Sequence, residues 1–400
     1  MTMSTVNKRV LWGLGSLVAL VLGSLLVMRI MLGGGEPYPD VSTAPRISPD
    51  QLEVLVELPL PPGNVTSSSE GRIFFNIHPF TQPQRFGDSF VFELVDGEPQ
   101  PYPNQQLQPR LQGVLGITVG PLDRLWLISP AGLEDRATKL MAFDLATNAL
   151  VFEHDLGEDA GMFSQDLRVS PDGKTIYMAD TGAFFLASPA IVVFDIESKT
   201  ARRVLEGHPS TEPQDWEIRT IDGPYKLAWG LVNFSVGVDG VAVSHDGQWL
   251  YYATMSHDSL YRVPTATLLD ASLPADAVAR AVERVGTKPL SDGIEIDAQG
   301  RVYITDVENG GVAIMEPDGE LQTLFKDEAI VWADGVNLTK DGSLLMTDSE
   351  IPAYIDPLLR PPAVERLNRA APHRIYRVKS SGAASPQARH VLRRIKSSGA

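Results

Sequence analysis

One hairpin sequence recurs along this chain, and its recurrence constrains the fold more than any other feature. Residues 291–306 read SDGIEIDAQGRVYITD, residues 334–348 read DGVNLTKDGSLLMTD, and residues 239–254 read DGVAVSHDGQWLYYAT. Each copy has a short apolar strand, a polar turn with a glycine, and a second strand rich in β-branched and aromatic residues, which is typical of a β-hairpin. Five copies align on their turn glycines, and residues 115–128 form a sixth copy; the glycines are Gly71, Gly173, Gly247, Gly300 and Gly342.

The spacing of these hairpins predicts how they assemble. From Gly173 onward the turn glycines are 74, 53 and 42 residues apart, and further apolar strands such as AIVVFDI (190–196) follow most hairpins. Four strands in roughly 40–50 residues, with loop insertions, form one blade of a β-propeller. We therefore predict an all-β, six-bladed β-propeller that occupies residues 50–378.

Aspartates stand at both ends of several hairpins. In a propeller the first strand of a blade lines the channel and the second returns antiparallel, so these two ends meet at one channel mouth. Asp292 with Asp306 and Asp334 with Asp348 are predicted pairs of this kind. The corresponding positions of other units also hold side-chain oxygens, namely Asn64, Gln165, Asp166 and Asp239. The pattern predicts a ligand-binding ring of oxygen atoms, and the competing interpretation is that each aspartate caps a turn.

The predicted ring indicates what it could bind. Neighbouring carboxylates repel one another unless a cation neutralises them, and Ca²⁺ prefers six to eight oxygen ligands. Asp239 and Asp292 are therefore candidate ligands of Ca²⁺ or another divalent metal, with a protonated amine as the alternative. The same two aspartates and His257 are candidate catalytic residues, and His78 is a further candidate base near the same mouth. A structural role stays open for both histidines.

Charge is distributed unevenly along the chain. The net charge is −16; the first 35 residues contribute +3 and residues 360–400 contribute +9, so the residues between them carry −28. A domain this acidic repels nucleic acid and attracts cations, although solubility alone would also favour such a charge. No G-x-S-x-G, nucleotide-binding loop or HExxH motif occurs, so the standard hydrolase, nucleotide and zinc-protease motifs are absent.

The N-terminal residues 1–32 are predicted to form a signal-anchor helix. Residues 10–28 contain no charged residue, and Lys8 and Arg9 precede them. About 20 apolar residues cross a bilayer, and the positive-inside rule then places the propeller outside the cytoplasm, either periplasmic or extracellular. Secretion after signal cleavage is the alternative. Residues 33–49 are interpreted as a linker and residues 379–400 as a flexible basic tail. The chain contains no cysteine, so disulfides and thiolate metal sites are excluded.

Several longer segments resemble the major royal jelly protein/yellow family. The most specific are residues 175–210, TIYMADTGAFFLASPAIVVFDIESKTARRVLEGHPS, and residues 250–265, LYYATMSHDSLYRVPT. The matching segments keep their order from about residue 60 to residue 378. This resemblance implies a secreted six-bladed propeller, and insect members are linked to dopachrome conversion or to the binding of small amines. The cysteine-free chain with its apolar N-terminus resembles a bacterial branch, and the resemblance assigns no catalytic residue.

The hairpins also resemble, more distantly, the gluconolactonase/regucalcin family, in which a glutamate, an asparagine and an aspartate hold a divalent metal. This resemblance implies that Asp239 takes the asparagine position and Asp292 the aspartate position. It also implies that the pair at 165–166 faces the substrate. The glutamate position holds Gly63, which argues against a lactonase unless a nearby residue replaces it. Three residues are candidates for that replacement, namely Asn64, Asp166 and Asp334.

These observations lead to one functional prediction and two alternatives. We predict an extracytoplasmic propeller that binds a small polar or cationic ligand at an acidic channel mouth, with isomerase-like activity as one form of that function. The first alternative is a metal-dependent lactonase or esterase. The second is a non-catalytic scaffold that binds protein or envelope polymer. The predicted partners are a small-molecule ligand and, through the N-terminal helix, the membrane; nucleic acid is not expected.

Overall fold

The structure is a computed structural model that describes residues 5–131, 137–157, 160–182, 186–221, 223–355 and 372–379. Six four-stranded antiparallel sheets occur in this part of the chain, together with three two-stranded sheets. The innermost strands of the six large sheets contact one another in sequence order, and the sixth contacts the first. The predicted six-bladed β-propeller is therefore confirmed.

Helix α1 (Thr5–Leu32) precedes the propeller, and the first three blades follow two N-terminal strands. Those strands are β1 (Glu36–Pro37) and β2 (Leu52–Leu58). Blade one contains β3 (Pro62–Ser67), β4 (Ile73–Ile77), β5 (Val91–Val95) and β6 (Glu98–Pro101). Blade two contains β7 (Gly116–Gly120), β8 (Arg124–Ser129), β9 (Lys139–Asp144) and β10 (Ala149–Asp155). Blade three contains β11 (Ser164–Val169), β12 (Thr175–Asp180), β13 (Ala190–Asp195) and β14 (Thr200–Val204).

An insertion of five short strands separates blades three and four, and two short helices lie within blade four. The insertion contains β15 (Trp216–Glu217), β16 (Arg219–Thr220), β17 (Gly223–Pro224), β18 (Lys226–Leu227) and β19 (Val232–Asn233). Blade four contains β20 (Val238–Val243), β21 (Trp249–Thr254), β22 (Ser259–Pro264), α2 (Thr265–Leu269), α3 (Ala275–Arg280) and β23 (Glu283–Thr287). Blade five contains β24 (Ile294–Ile296), β25 (Val302–Asp306), β26 (Gly311–Met315) and β27 (Leu321–Lys326). Blade six contains β28 (Ala333–Leu338), β29 (Leu344–Asp348) and β30 (His373–Val378).

The N-terminal strand β2 completes blade six. It pairs antiparallel with β30, from Leu52 opposite Val378 to Leu58 opposite His373. Leu58 is buried in one apolar cluster with Ile375 of β30. The ring of blades is therefore closed by hydrogen bonds between distant parts of the chain.

The hairpin turns confirm the sequence alignment. All five aligned glycines have positive φ angles, between 71° and 85°, a region that glycine enters without steric cost. In the sixth hairpin, Leu122 and Asp123 take positive φ angles of 65° and 45°. Two successive residues with positive φ form the tight turn that matches the twist of a β-hairpin.

Glycines at the opposite ends of the hairpins let the inner strands approach closely. A Cβ atom on Gly293 would lie 2.6 Å from the backbone oxygen of Asp334 in the next blade, and one on Gly240 would lie 2.9 Å from the backbone oxygen of Asp292. On Gly335, a Cβ would lie 2.7 Å from Oδ1 of Asn64. Since Cβ atoms are not found this close to other heavy atoms, only glycine fits between these blades at the present separation.

The predicted linker, residues 33–49, lies against the propeller. The β1 strand pairs in parallel with β15. The Tyr38 hydroxyl donates a hydrogen bond of 2.6 Å to the Lys288 carbonyl, and Ile47 is buried against blade five. Of the predicted tail, residues 380–400 lie outside the described residues. In α1, residues Leu14–Leu32 have a mean hydropathy of 2.1 and are long enough to cross a membrane, which fits either an anchor or a signal sequence.

The glycine spacing generates a prediction for stability. We expect Gly293→Ala to lower the free energy of unfolding by about 1–3 kcal/mol, because the new methyl group would press against the backbone of blade six. The measurement is urea unfolding of the full chain in detergent micelles. Gly87→Ala is the matched control, since a Cβ at position 87 would have no heavy atom within 4 Å. Equal stability of the two variants would contradict the close-approach argument.

Candidate functional site

A cavity of about 1050 Å³ lies at the end of the channel where the inner strands begin. Each blade contributes the start of its inner strand to the wall, through Asn64, Leu115, Gln165, Asp239, Asp292 and Asp334. Much of the remaining wall is apolar and includes Phe80, Phe163, Phe234 and Met255. A cavity of this size, with polar groups converging at one end, is typical of a site for a small organic ligand.

The structure brings together six of the eight side chains that the sequence marks as ligand-binding candidates. Those that line the cavity are Asn64, Gln165, Asp166, Asp239, Asp292 and Asp334. Asp306 and Asp348 do not line it. The four cavity aspartates are each at most 6% exposed, so their carboxylates are removed from bulk water. Removal from water disfavours the charged form of a carboxylate unless a partner compensates for it.

Asp239 has one paired and one unpaired carboxylate oxygen. Its Oδ1 accepts a hydrogen bond from the Nε2 amide of Gln165, whereas its buried Oδ2 has no partner among the described residues. Burial raises the pKa of Asp239 well above its ordinary value, and the nearby charges of Asp292 and Asp334 raise it further. The unpaired oxygen is therefore a free acceptor for a donor or a cation that enters the cavity.

Asp292 is held by a buried tryptophan that the sequence analysis did not identify. The Nε1–H of Trp332 donates to Oδ2 of Asp292 at 2.7 Å, and Trp332 is fully buried. Burial raises the pKa of Asp292 to about 7, although this hydrogen bond opposes the rise. The one sequence signal that could have indicated this role is the position of Trp332, which lies two residues before Asp334 at the start of a blade.

Asp334 lies in the same electrostatic environment as its two neighbours. Burial raises its pKa well above the ordinary value, and the charge of Asp292 adds to this effect. Within the described part of the chain, no Lys, Arg or His nitrogen lies within salt-bridge distance of Asp239, Asp292 or Asp334. These three carboxylates therefore repel one another without a protein counterion in contact.

The fourth aspartate, Asp166, is different because it has a cationic partner. The guanidinium of Arg168 lies 3.0 Å from Asp166 and also 3.7 Å from Glu295. Asp166 also accepts the backbone N–H of Val241 in blade four at 3.3 Å. The half-buried Arg168 is thus shared between two carboxylates, and Asp166 both lines the cavity and links two blades.

A buried lysine lies near the cavity aspartates, but it does not neutralise their negative charge. Lys288 is fully buried, and its Nζ donates hydrogen bonds to the carbonyl of Pro289 at 3.1 Å and to Oγ of Ser291 at 2.9 Å. Burial lowers the pKa of Lys288 to about 7, while the charges of Asp258, Asp239 and Asp306 oppose this shift. Because it has lost much of its basicity and contacts neutral oxygens, Lys288 is a weak counterion.

The two aspartates outside the cavity act as caps. Asp306 accepts the backbone N–H groups of Glu308 at 3.2 Å and Asn309 at 3.0 Å. Asp348 accepts those of Val331 at 3.1 Å and Trp332 at 2.9 Å. The capping interpretation therefore describes both of these residues. Asp348 also fixes the backbone of the tryptophan that bonds Asp292, so it supports the cavity from behind.

The two histidine candidates have different positions. His257 does not line the cavity; its Nδ1 accepts the N–H of Ser259 at 3.1 Å. Burial lowers the pKa of His257 to about 4, and the charge of Lys288 lowers it further. His78 does line the cavity, where burial lowers its pKa to about 3 and its ring packs 5.4 Å from that of Tyr354. At neutral pH His78 is thus an uncharged part of the wall.

The donor set fits a divalent metal poorly. Among the residues that the structure describes, no group of three or more His, Asp or Glu side chains is arranged to hold a metal ion. A glutamate at position 63 would not fit, because its Cβ would lie 2.9 Å from Nδ2 of Asn76. Asn76 is fixed there by hydrogen bonds to Val114 and to the N–H of Asn64. Asp239 and Asp292 therefore lack the first-blade carboxylate that the gluconolactonase/regucalcin resemblance implies at position 63.

Comparisons with solved structures support the fold. A gluconolactonase from Xanthomonas campestris is 16% identical, with a TM-score of 0.50, and the match covers 75% of this chain and 86% of that one. A second protein described as a gluconolactonase is 12% identical, with a TM-score of 0.52 and coverage of 86% and 94%. A calcium-binding regucalcin from Agrobacterium tumefaciens is 15% identical, with a TM-score of 0.45 and coverage of 81% and 92%. At these identities the likeness to the first two structures shows the shared propeller fold alone.

Fold and site together define a six-bladed propeller with an acidic cavity at one end of its channel. The family model described as Major royal jelly protein matches residues 112–357. The chain belongs to the major royal jelly protein family, as its sequence segments indicated. No curated protein matches the sequence.

The raised carboxylate pKa values predict how stability depends on pH. Asp292 has a pKa of about 7 in the folded protein and about 4 when unfolded, so between these values the folded state binds more protons. Its contribution therefore lowers the free energy of unfolding as pH rises from about 4 to about 7, by on the order of 4 kcal/mol. We therefore compare the free energy of unfolding of Asp292→Asn with that of wild type at two pH values. The difference, variant minus wild type, should be larger at pH 8 than at pH 5.

The measurement is urea unfolding of the full chain in detergent at both pH values. Asp88→Asn is the control, since Asp88 is an exposed loop residue. A stability difference between Asp292→Asn and wild type that does not change with pH would contradict the raised pKa of Asp292.

Proposed function

We propose that the cavity binds a small organic cation, such as a primary amine, at the carboxylates of Asp239, Asp292 and Asp334. The observation that carries this proposal is the set of three buried carboxylates that have no contacting counterion among the residues that the structure describes. A protonated amine would offer up to three N–H donors and one positive charge. It would satisfy the unpaired Oδ2 of Asp239 and relieve the repulsion among the three groups.

The apolar part of the wall suits the body of such a ligand. Phe80 and Phe163 stack with their ring centroids 5.7 Å apart, and both line the cavity. Phe234 lines another part of the wall and packs edge-on against Trp332 at 5.9 Å. An aromatic or alkyl group attached to the amine would be buried against these rings, which contributes affinity in proportion to the apolar area removed from water.

A second form of this function is an isomerase-like proton shift within the bound ligand. Asp292 supports it, because a pKa of about 7 lets its carboxylate both accept and return a proton near neutral pH. A proton taken from one atom of the ligand and returned to another leaves the composition unchanged. Asp239 would be the second acid–base group, because it lines the cavity whereas His257 does not.

The metal-dependent lactonase remains an alternative with less support. Asp239 and Asp292 could each offer oxygens to a divalent ion, which would polarise a carbonyl group for attack by water. The absence of a glutamate at position 63 and the amide of Gln165 on Asp239 both reduce the set of available anionic ligands. If this protein bound neither an amine nor a metal ion, the non-catalytic scaffold would be the favoured function.

Amine binding can be tested by calorimetry with phenethylamine on the full chain in detergent. We expect Asp239→Asn and Asp292→Asn each to weaken binding by roughly 10- to 100-fold, the usual effect of losing one charged hydrogen-bond partner. Wild-type affinity should rise as pH increases through about 7, because Asp292 must lose its proton to attract the cation.

Two controls accompany that measurement. The uncharged analogue 2-phenylethanol should bind at least 10-fold more weakly than phenethylamine if the charge is recognised. Asp306→Asn, once circular dichroism shows that it is folded, should bind like wild type, because Asp306 caps a turn outside the cavity. Equal binding of amine and alcohol would overturn the proposal.

Metal content separates the lactonase alternative from amine binding. We expect elemental mass analysis of the full chain, purified without chelator, to find a divalent ion far below one per chain, because no group of His, Asp or Glu side chains among the described residues is arranged to hold one. A stoichiometric ion that disappears in Asp292→Ala would contradict this expectation. It would favour metal-assisted hydrolysis, and lactones and esters would then be the substrates to examine.

A further inference from the structure

The end of the apolar helix α1 lies at the mouth of the acidic cavity. Met31 and Leu32, its last two residues, line the cavity, and Leu32 packs against the same apolar cluster as Phe234 and Met255. The helix therefore ends in the wall of the mouth itself. Any surface that contains α1 must lie next to this opening.

The chain that follows α1 is held tightly against the propeller, without a flexible segment between the helix and the insertion. The buried Gly33 is so close to the insertion that a Cβ on it would lie 2.4 Å from the Leu231 carbonyl. The Nζ of Lys226 donates hydrogen bonds of 3.1 Å to the carbonyls of both Gly33 and Gly34. The same Nζ lies 2.7 Å from a carboxylate oxygen of Glu217, so three polar contacts of Lys226 fix the connection.

Exposed apolar side chains surround the same opening. Leu186 is 66% exposed and Met162 is 44% exposed, and both line the cavity. Trp229 is 62% exposed on the turn between β18 and β19, the hairpin that contacts α1. Tryptophan at the boundary between apolar and polar surface is typical of the membrane–water interface. Exposed apolar side chains that cluster around one opening are typical of a membrane or protein interaction surface.

These three observations lead to one inference, which rests on the proposed function. We propose that α1 remains as a membrane anchor, that the cavity mouth faces the bilayer, and that the ligand is an amphiphile taken from it. Its cationic head would reach Asp239 and Asp292, and its apolar tail would lie along Leu32, Phe163 and Leu186. The short, fixed connection favours the bilayer over a soluble partner protein, because the helix that ends at the mouth is itself the membrane segment.

The position of the mouth can be measured by fluorescence quenching in phosphatidylcholine vesicles with brominated acyl chains. The full chain is reconstituted with the propeller outside. Trp229→Phe should remove part of the quenching seen for wild type, because Trp229 reaches the interface. Trp249→Phe is the matched control and should remove none, since Trp249 lies beside the hairpin turn of blade four at the opposite end of the channel. Equal quenching of the two variants would overturn the inference.

The ligand class can be measured by displacement of labelled phenethylamine from the same vesicles. Dodecylamine should compete at least 10-fold better than butylamine. Leu186→Ser should weaken dodecylamine binding by roughly 10- to 100-fold, which corresponds to the transfer free energy of a buried leucine side chain, and leave butylamine binding unchanged, because its chain is too short to reach Leu186. Leu122→Ser is the control, because Leu122 is 76% exposed on a turn at the opposite face. Each amine partitions into the bilayer equally with variant and wild-type protein, so partitioning cancels when the affinity of the variant is divided by that of wild type.

The outcomes separate this inference from the function on which it rests. If phenethylamine binds and the two alkylamines compete equally, the membrane inference is overturned and cation binding stands. If no amine binds, both are overturned. An intact mass that lacks the N-terminal helix would also overturn the inference, because the mouth would then have no membrane segment beside it.

Discussion

The close approach of the six inner strands is the constraint from which the rest of the structure follows. Gly240, Gly293 and Gly335 each leave room for the neighbouring blade where any larger residue would collide with it. The preceding residues of these blades, Asp239, Asp292 and Asp334, are consequently crowded at the start of the channel. Their backbones cannot move apart without loosening the ring, so their mutual repulsion is part of the folded state.

That repulsion connects the fold to the proposed function. A protein that only needed a stable channel would gain stability by replacing these carboxylates with neutral side chains, because a buried unpaired charge is strongly unfavourable. The carboxylates instead face an open cavity, and one of their oxygens has no partner within the described residues. A cation bound there would recover interaction energy that folding leaves unused, and this is the usual relation between a destabilised site and its ligand.

The sequence predicted the propeller and part of the site because both depend on local repetition. The hairpin turns and the blade starts repeat in a pattern that can be read without tertiary information. The same pattern could not separate Asp292, which lines the cavity, from Asp306, which caps a turn, since the two occupy matching ends of one hairpin. Their difference arises from the direction in which each side chain leaves the end of its strand, and the aligned sequence does not contain it.

Other features were beyond the sequence because they depend on contacts between distant segments. The pairing of β2 with β30 joins residues more than 300 positions apart, and the Trp332 bond to Asp292 joins two blades. The segment 33–49 has a linker composition, yet Tyr38 and Ile47 are buried in it. Its glycines read as flexible, but Gly33 is required where α1 meets the insertion, because no side chain would fit there.

The same junction decides what kind of ligand can reach the acidic cavity. A long, mobile linker would let the propeller turn in any direction above a membrane, and its channel would sample soluble molecules. Here hydrogen bonds from Lys226 fix the chain within two residues of the helix end. With α1 in a bilayer, the opening is held at the lipid surface, where the local concentration of a cationic amphiphile far exceeds that in water. An acidic cavity with an apolar rim is then matched to both ends of such a molecule.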